Sequence, residues 1–546
     1  MLQKNSANPS QFLPIIDRIS SAIDAAANRT GWQRYAIAMV MGIFATLAMA
    51  PFYILPLLII GYSIFARQLS TEKITVWQSF LIGWAFGFGY FITGIYWMAF
   101  AFLVRAEEFA WMVPIAIPSF AGFLGLFFAM PAALFNIIST RLKITDWAQL
   151  LLLAGLVSIF EYGRGHILTG LPWNLTGQAM TGMIAGAQSA SLYGVYGLSL
   201  VTLLLAMAPA ISSSRNSFIG IIISISGFLV LFGIGAIQLV ASPPSYRDDV
   251  RVSIIQPNIR QKDKINPALA TQNFQSLLSL SALSSAGSTN KQPATFLIWP
   301  ENAVPWIAEQ PIVLDLIGDQ VSPQTTIITG SIRRESRNDG SAAYFNTVAI
   351  LPPVPPNDGQ SARNIGQYYD KHHLVPFGEY LPLKGLLQAI GLSQLAPVVD
   401  GFAKGAGPQT ISHSTASFSP LICYETIFPG AMHPHTERPD WLVTVTNDAW
   451  FGDGSGPRQH LDQARLRSIE TGLPMARAAN TGISSMIDPH GRVLERVKLY
   501  ETGFIDTALP NKKSPTLYSR IGDTLYGLMV MMLGLIIFVR GRIVTS

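Results

Sequence analysis

A carboxylate, an amine and a thiol stand where three apolar, strand-like runs end. "FLIWPENAVPW" delivers Glu301, "YYDKHHLVPFGEYLP" delivers Lys371 and Glu379, and "LICYETIFP" delivers Cys423 and Glu425. A charged group at the end of an apolar strand loses hydration energy unless it pairs or works. Gathered at one sheet edge, these groups supply what thiol acyl transfer needs. A base removes the S–H proton, because the thiolate is the nucleophile. A cation stabilises the tetrahedral oxyanion, helped by the backbone N–H that follows the cysteine. A second carboxylate orients the cation or assists the incoming nucleophile. Each residue taken alone has a plainer reading: Glu301 as a salt-bridge partner, Lys371 as a surface lysine, Cys423 as core packing, and Glu379 and Glu425 as structural ion-pair partners. His372, His373 and His460 lack HExxH or similar ligand spacing. They read as structural, and no metal or cofactor is expected.

The elements that must carry these residues are legible between 248 and 508. "VRVSIIQPNI", "ATFLIWPENAV", "TTIITGSI", "AAYFNTVAIL", "SPLICYETI", "WLVTVTNDAWFG" and "GISSMIDPHGRVLERV" read as strands. Residues 266–286 and 458–479 read as helices. The alternation predicts a layered α/β domain with a buried sheet, and the Pro-rich stretch 351–360 reads as a surface loop.

The rest of the chain is a different material. Hydrophobic residues make up 49% and charged residues 13% of the 546 residues, too apolar for an ordinary soluble protein. The apolar runs are segregated, and eight stretches read as membrane spans: 35–50, 52–66, 77–103, 111–139, 147–161, 186–211, 217–241 and 521–539. The first two, split by Pro51, predict a tight helical hairpin. No removable signal peptide is evident. The division expected is a cytoplasmic segment 1–34, helices 1–7 over 35–241, a catalytic domain over 242–520, and helix 8 with a cytoplasmic tail over 521–546. Lys4, Arg18, Arg29, Arg34, Arg67, Lys73, Arg141, Lys143, Arg215, Arg540 and Arg542 fall on one side of the resulting topology. The short loops of the other side hold only Arg105 and Arg164. By the positive-inside rule both termini are cytoplasmic and 242–520 lies outside, which in a bacterium with two membranes is the periplasm. Cysteines in that oxidising compartment are normally paired, yet Cys423 is the chain's only one. It is either an inert buried residue or a thiol kept away from any sulfur that could capture it. The net charge of +5 is scattered, without a basic patch interleaved with aromatics, so nucleic-acid binding gains no support.

Glu301 in "WPENA", Lys371 in "YDKHHLVPFGE" and Cys423 in "ICYE" resemble the Glu-Lys-Cys triad of the nitrilase superfamily, whose domain is an α-β-β-α sandwich. "KHHLVPFGEYLP", "NDAWFG", "GPRQHLDQARLRSIETGLPMARAANTG" and "EYGRGHILTGLPWNLTGQ" are similar to one membrane-bound branch, apolipoprotein N-acyltransferase. That resemblance implies an eight-helix membrane bundle with an extracytoplasmic nitrilase-like domain between the last two helices. It implies Glu301 as general base, Lys371 as oxyanion stabiliser and Cys423 as nucleophile. Glu379 would support Lys371 or the acceptor amine, Tyr424 and Glu425 would shape the pocket, and Trp450 would sit on a substrate-facing loop. Arg164 would contact a lipid phosphate, and Trp173 would mark the membrane interface. Relatives often carry an aromatic shortly after "Q-x-N-I-x-Q"; here Ile265 stands there. The reaction implied moves a fatty acyl chain from a membrane phospholipid, through a cysteine thioester, to the N-terminal amine of a diacylglyceryl-cysteine apolipoprotein, by a monomeric inner-membrane enzyme. Residues 376–392 would dip into the interface. Alternatives from other classes are an anchored amidase that uses water as acceptor and a transporter with an outside ligand-binding domain. The scarcity of ionisable residues within the spans weighs against the transporter.

Overall fold

The computed structural model describes residues 21–71, 74–211, 214–286, 295–307, 310–337, 340–354, 363–382, 401–434 and 436–545. The chain divides into two units. The described parts of 1–99, 108–241 and 521–546 form the first, and those of 100–107 and 242–520 form the second. The expected interfacial segment 376–392 lies outside the described residues from 383 onward, as do 355–360 of the Pro-rich stretch and residues 1–20.

In the first unit each of the eight apolar stretches carries helix, including Trp32–Thr46, Leu55–Leu69, Val113–Arg141, Trp147–His166 and Thr524–Thr545. Among the described residues, three helices are long and apolar enough to cross a membrane: Ala106–Arg141, Ala190–Ala210 and Phe218–Ala241. A fourth crossing arises if the pair Val76–Gly94 and Tyr96–Leu103, bent by 51°, is counted as one. Leu55–Leu69 and Thr524–Arg540 are shorter apolar helices.

Two residues of this unit depart from expectation. Arg164 is buried rather than offered to a phosphate. Its Nη1 donates to the carbonyls of Leu171 and Trp173, each at 2.6 Å, and its guanidinium lies over the Phe91 ring. A buried guanidinium needs acceptors, and here three carbonyls of the loop after the fifth apolar helix, those of Leu171, Trp173 and Asn174, accept from it. Trp173 is buried too, packed on Trp97 at 4.6 Å between ring centroids. Beside them Glu161 accepts from the Thr176 N–H at 3.0 Å and from its hydroxyl at 2.6 Å. The loop over 167–182 is therefore folded against its own helix by internal polar bonds.

The second unit is built on two sheets. The strands are β1 (Tyr246–Gln256), β2 (Phe296–Trp299), β3 (Thr326–Ser336), β4 (Ala342–Leu351), β5 (Gln367–Asp370), β6 (Phe418–Ile422), β7 (Trp441–Thr446), β8 (Met475–Ala479), β9 (Ser484–Ile487), β10 (Val493–Val497) and β11 (Gly503–Pro510). One sheet runs β11-β1-β2-β3-β4-β5 and the other β10-β9-β8-β7-β6. Strand alternation sorts the side chains. Val252 and Ile254 of β1, Phe296 and Ile298 of β2, Ile422 of β6 and Val443 and Val445 of β7 form one core shared by the two sheets. The opposite face of the first sheet, with Ile255, Leu297, Trp299 and Ile327, packs with Leu277 and Ile317 of helices Ala270–Ala286 and Pro311–Gln320. The opposite face of the second, with Leu421, Leu442 and Met475, packs with Leu461 and Ala464 of helix Ser455–Thr471. The layers are helix, sheet, sheet, helix.

The expected helix 458–479 ends at Thr471. Gly472 adopts φ 68°, the left-handed cap that closes a helix, and "MARAA" beyond Pro474 is β8, paired to β7 and β9. The expected strand 482–497 is a hairpin, β9 and β10, folded at Asp488, whose Oδ1 accepts from the N–H groups of His490 and Arg492. β5 is the strand-like run that was expected to end before Lys371, while β11 and helix Pro311–Gln320 were not among the expected elements.

Candidate active site

β1, β2 and β3 are mutually parallel, and so are β6, β7 and β8. β5 is antiparallel to β4, itself antiparallel to β3, so β5 runs in the same sense as β2. Carboxyl ends of strands are where α/β sheets place their ligands. Glu301 follows β2, Lys371 follows β5, and Cys423 follows β6 directly.

Glu301 reaches its place through a close backbone approach. A Cβ on Gly330 of β3 would lie 2.5 Å from the Glu301 Cα, so only glycine admits the end of β2 there. The carboxylate is buried and accepts from Asn346 Nδ2 at 2.8 Å. The same nitrogen donates to Glu379 Oε1 at 2.7 Å. Lys371 Nζ lies 2.8 Å from Glu379 Oε1 and 3.8 Å from Glu301 Oε1. Glu379 is held in turn by the Val375 N–H, at 2.8 Å from its Oε2. One ammonium and one amide are therefore shared between two carboxylates.

Cys423 begins the short helical turn Cys423–Ile427 with φ 48°, an unusual conformation for any residue with a Cβ. Its neighbour Glu425 is fully engaged. The carboxylate accepts from the N–H groups of Ile422 (2.8 Å), His372 (2.7 Å) and His373 (3.2 Å) and from the Tyr369 hydroxyl (2.9 Å). Glu425 thus ties the segment that follows Lys371 to the turn that carries Cys423. Tyr424 is half-buried and meets the Phe428 ring edge-on at 5.1 Å, while His373 stacks on Phe428 at 3.5 Å. Trp450 is exposed at the end of the turn after β7.

The electrostatics follow from burial and from these neighbours. Burial, and then the Glu301 charge, push the Cys423 thiol up to about 12, against the pull of Lys371 and the Thr446 hydroxyl. Burial raises Glu301 above the usual carboxylate range, opposed by Lys371 and reinforced by Glu379. Burial alone would discharge Lys371, but Glu379 and Glu301 outweigh it and hold the ammonium well above its ordinary value. Burial works against the Glu425 charge as well, yet His372 and the donated N–H groups keep that carboxylate below its ordinary value. The site therefore sets a thiol held toward its neutral form beside Glu301 and a fixed cation. Moving the thiol proton to Glu301 relocates one negative charge without adding another.

Two residues of this site were not among those expected. Asn346 bridges the carboxylates, and its only sequence signal is a lone amide in the apolar run "AAYFNTVAIL". Lys264 donates from Nζ to the Glu301 carbonyl at 2.6 Å. Burial lowers its amine to about 8, opposed by Glu301 and Cys423. Ile265, where attention fell, is exposed.

Residues 41–208 match the Apolipoprotein N-acyltransferase N-terminal domain, and residues 251–513 match the Carbon-nitrogen hydrolase family. An apolipoprotein N-acyltransferase of Rhodopseudomonas palustris is 37% identical over 543 residues, covering 97% of this chain and 98% of the relative. The chain belongs to the apolipoprotein N-acyltransferase family. A second family member, from Bradyrhizobium diazoefficiens, is 36% identical over 94% of this chain and 96% of its own length. Membership makes the chain an acyltransferase and a membrane protein. Its second unit has the nitrilase-like fold of carbon-nitrogen hydrolases; in this apolipoprotein N-acyltransferase family member the first matched region, apart from 100–107, falls in the first unit and the second in the second.

Proposed function

We propose that the protein moves a fatty acyl chain from a membrane phospholipid to the α-amine of a diacylglyceryl-cysteine apolipoprotein, by way of a thioester on Cys423. The observation that carries this reading is the convergence of a neutral thiol, a raised carboxylate and a locked ammonium at neighbouring strand ends. Glu301 takes the Cys423 proton, and the sulfur attacks the ester carbonyl carbon. Lys371 and the Tyr424 N–H meet the oxyanion. The C–O bond breaks, Glu301 returns the proton to the leaving alkoxide, and lysophospholipid departs. In the second half the lipoprotein amine gives a proton to Glu301 and attacks the thioester, the C–S bond breaks to form the amide, and Glu301 returns the proton to the departing Cys423 sulfur. Glu379, through Lys371, and Glu425, through the Cys423 turn, act by positioning.

The same reading takes all eight apolar helices as spans, with both termini cytoplasmic, residues 242–520 as a periplasmic catalytic domain, and a monomer in the inner membrane. Two lipid-anchored substrates give a membrane bundle on the catalytic chain a physical purpose. Neither substrate enters water at a useful concentration, because each buried acyl CH₂ is worth about 0.8 kcal/mol.

The test is incubation of the purified protein with phospholipid labelled in its acyl chain and no acceptor. A hydroxylamine-sensitive adduct on Cys423, absent from C423A and discharged by a diacylglyceryl peptide, is expected. An adduct that persists in C423A, or hydrolysis of small amides with no adduct from phospholipid, overturns the reading.

A further inference from the structure

The carbonyl of Cys423 has a buried partner that the mechanism above does not use. His460 Nε2 lies 3.2 Å from it. A carbonyl only accepts, so Nε2 carries the hydrogen. The other ring nitrogen, Nδ1, faces Arg477 Nη2 at 3.2 Å and Asp448 Oδ1 at 3.1 Å. Burial, and then the Arg477 charge, hold His460 below its ordinary value, so the ring is neutral and Nδ1 accepts from Arg477. Asp448 is satisfied without the ring. Its Oδ2 accepts from Arg477 Nη2 at 2.6 Å and its Oδ1 from the Thr446 hydroxyl at 2.9 Å. His460, Asp448 and Arg477 are each at most 1% exposed. A single tautomer therefore fits the cluster, and it aims one N–H at the nucleophile's own backbone.

The peptide bond from Cys423 to Tyr424 is trans, so its carbonyl and the Tyr424 N–H point in opposite directions from one rigid plane. Whatever fixes the carbonyl fixes the N–H. Rotation of that peptide, about ψ of Cys423 and φ of Tyr424, would turn the N–H away. A bonded carbonyl also polarises the N–H at the other end of the same amide.

We infer that His460 is a positioning residue for acyl transfer, which holds the Cys423 carbonyl so that the Tyr424 N–H is presented to the oxyanion. The inference rests on the thioester reading above.

Two reactions of the same thiol separate this role from general support of the fold. Alkylation by iodoacetamide passes through no oxyanion, and Cys423 is the chain's only cysteine, so the adduct mass reports it alone. Thioester formation from labelled phospholipid does require the oxyanion site. In the full-length protein, H460L is expected to alkylate within about threefold of wild type, since thiolate formation sets that rate. Its thioester formation should fall about 100-fold, the usual loss for one oxyanion donor, with an unchanged KM for phospholipid. H460Q, whose amide N–H can reach the same carbonyl, should recover to within about tenfold of wild type. H460N, too short to reach, should behave like H460L, and the Gln–Asn comparison carries the test if H460L does not fold. Wild-type thioester formation in H460L, a parallel fall of both reactions, or equal behaviour of H460Q and H460N overturns the inference. Failure of the wild-type protein to form a thioester overturns the reading beneath it instead.

Discussion

Replacing Glu301 with Gln should make Cys423 more acidic and the enzyme inactive at once. The carboxylate is the largest charged contribution to the raised thiol, second only to burial, and Lys371 opposes it. A pKa of about 12 leaves about one thiol in ten thousand ionised at pH 8, against about one in four for an ordinary cysteine of pKa 8.5. Glutamine keeps the shape and the Asn346 contact but removes the negative charge. At an effective dielectric of about 20, a charge at the outer edge of the ~4–6 Å range over which neighbours shift pKa values acts with about 3 kcal/mol, or about two pKa units. Iodoacetamide should therefore alkylate E301Q at pH 8 about 100-fold faster than wild type, discounted by the lower nucleophilicity of a more acidic thiol to about 10-fold. Thioester formation from phospholipid should fall by about 100-fold to 10,000-fold, because no base remains to take the proton and return it to the leaving group. The assay follows both rates from pH 6 to 11 by intact mass. An E301Q protein that alkylates more slowly than wild type, in step with its lost turnover, would refute the electrostatic argument and leave Glu301 as a base for any reaction of the thiol.

K264M should shift the alkylation profile in the other direction, to higher pH, because it removes a cation coupled to Glu301 and Cys423; a profile identical to wild type would remove Lys264 from the site's electrostatics. K371R should not restore the turnover lost in K371A, since a planar guanidinium cannot occupy the place of a point charge set between Glu379 and Glu301; acyl transfer by K371R within about tenfold of wild type would show that diffuse positive charge is enough. E425A leaves three N–H groups without their acceptor and the Tyr369 hydroxyl with His372 Nδ1 alone, so denaturant unfolding should report a loss of at least about 3 kcal/mol; a loss below about 1 kcal/mol would mean that water replaces the carboxylate. Asp448 and Glu425 are both held below their ordinary carboxylate values, despite burial, by Arg477 and the Thr446 hydroxyl around the first and His372 and donated N–H groups around the second. Their contribution to stability is complete above the ordinary carboxylate range and is lost as pH falls through it toward the lowered folded values. Thermal unfolding from pH 6 downward should show that loss, D448N should flatten part of it, and an equal slope in both proteins would refute the assignment.

That Glu301, Lys371 and Cys423 stand at strand ends was legible in the sequence, because each follows directly on an apolar, strand-like run. The eight apolar stretches were legible as helices because nothing else in the composition could account for them. What failed is instructive. "MARAA" has the composition of a helix, and only its position between two strands makes it β8, a tertiary override that propensity cannot register. Arg164 looked available because the sequence reads it as part of a short loop, but it lies in the last turn of helix Trp147–His166, and its acceptors are carbonyls seven and nine residues away, brought back by the fold of the loop that follows. Asn346 and Lys264 were missed, and His460 was read as structural, for one reason. Each touches the backbone or carboxylate of a candidate site residue from a different strand or helix, and such contacts leave no spacing in the chain.

The pairing of β1 with β11 sets a clock on synthesis. Arg251 lies opposite Ala508, so roughly 250 residues, about 10–50 s of translation, separate the two partners. Through that interval β1 can pair with β2, but its other edge stays open, an apolar template for any strand that arrives first. The sheet can close only after the nucleophile, its turn and the whole second sheet have been made. A truncated chain that stops before 503 would lack the edge strand while carrying every reactive group, so premature termination near the C-terminus should yield aggregation rather than a weakly active enzyme.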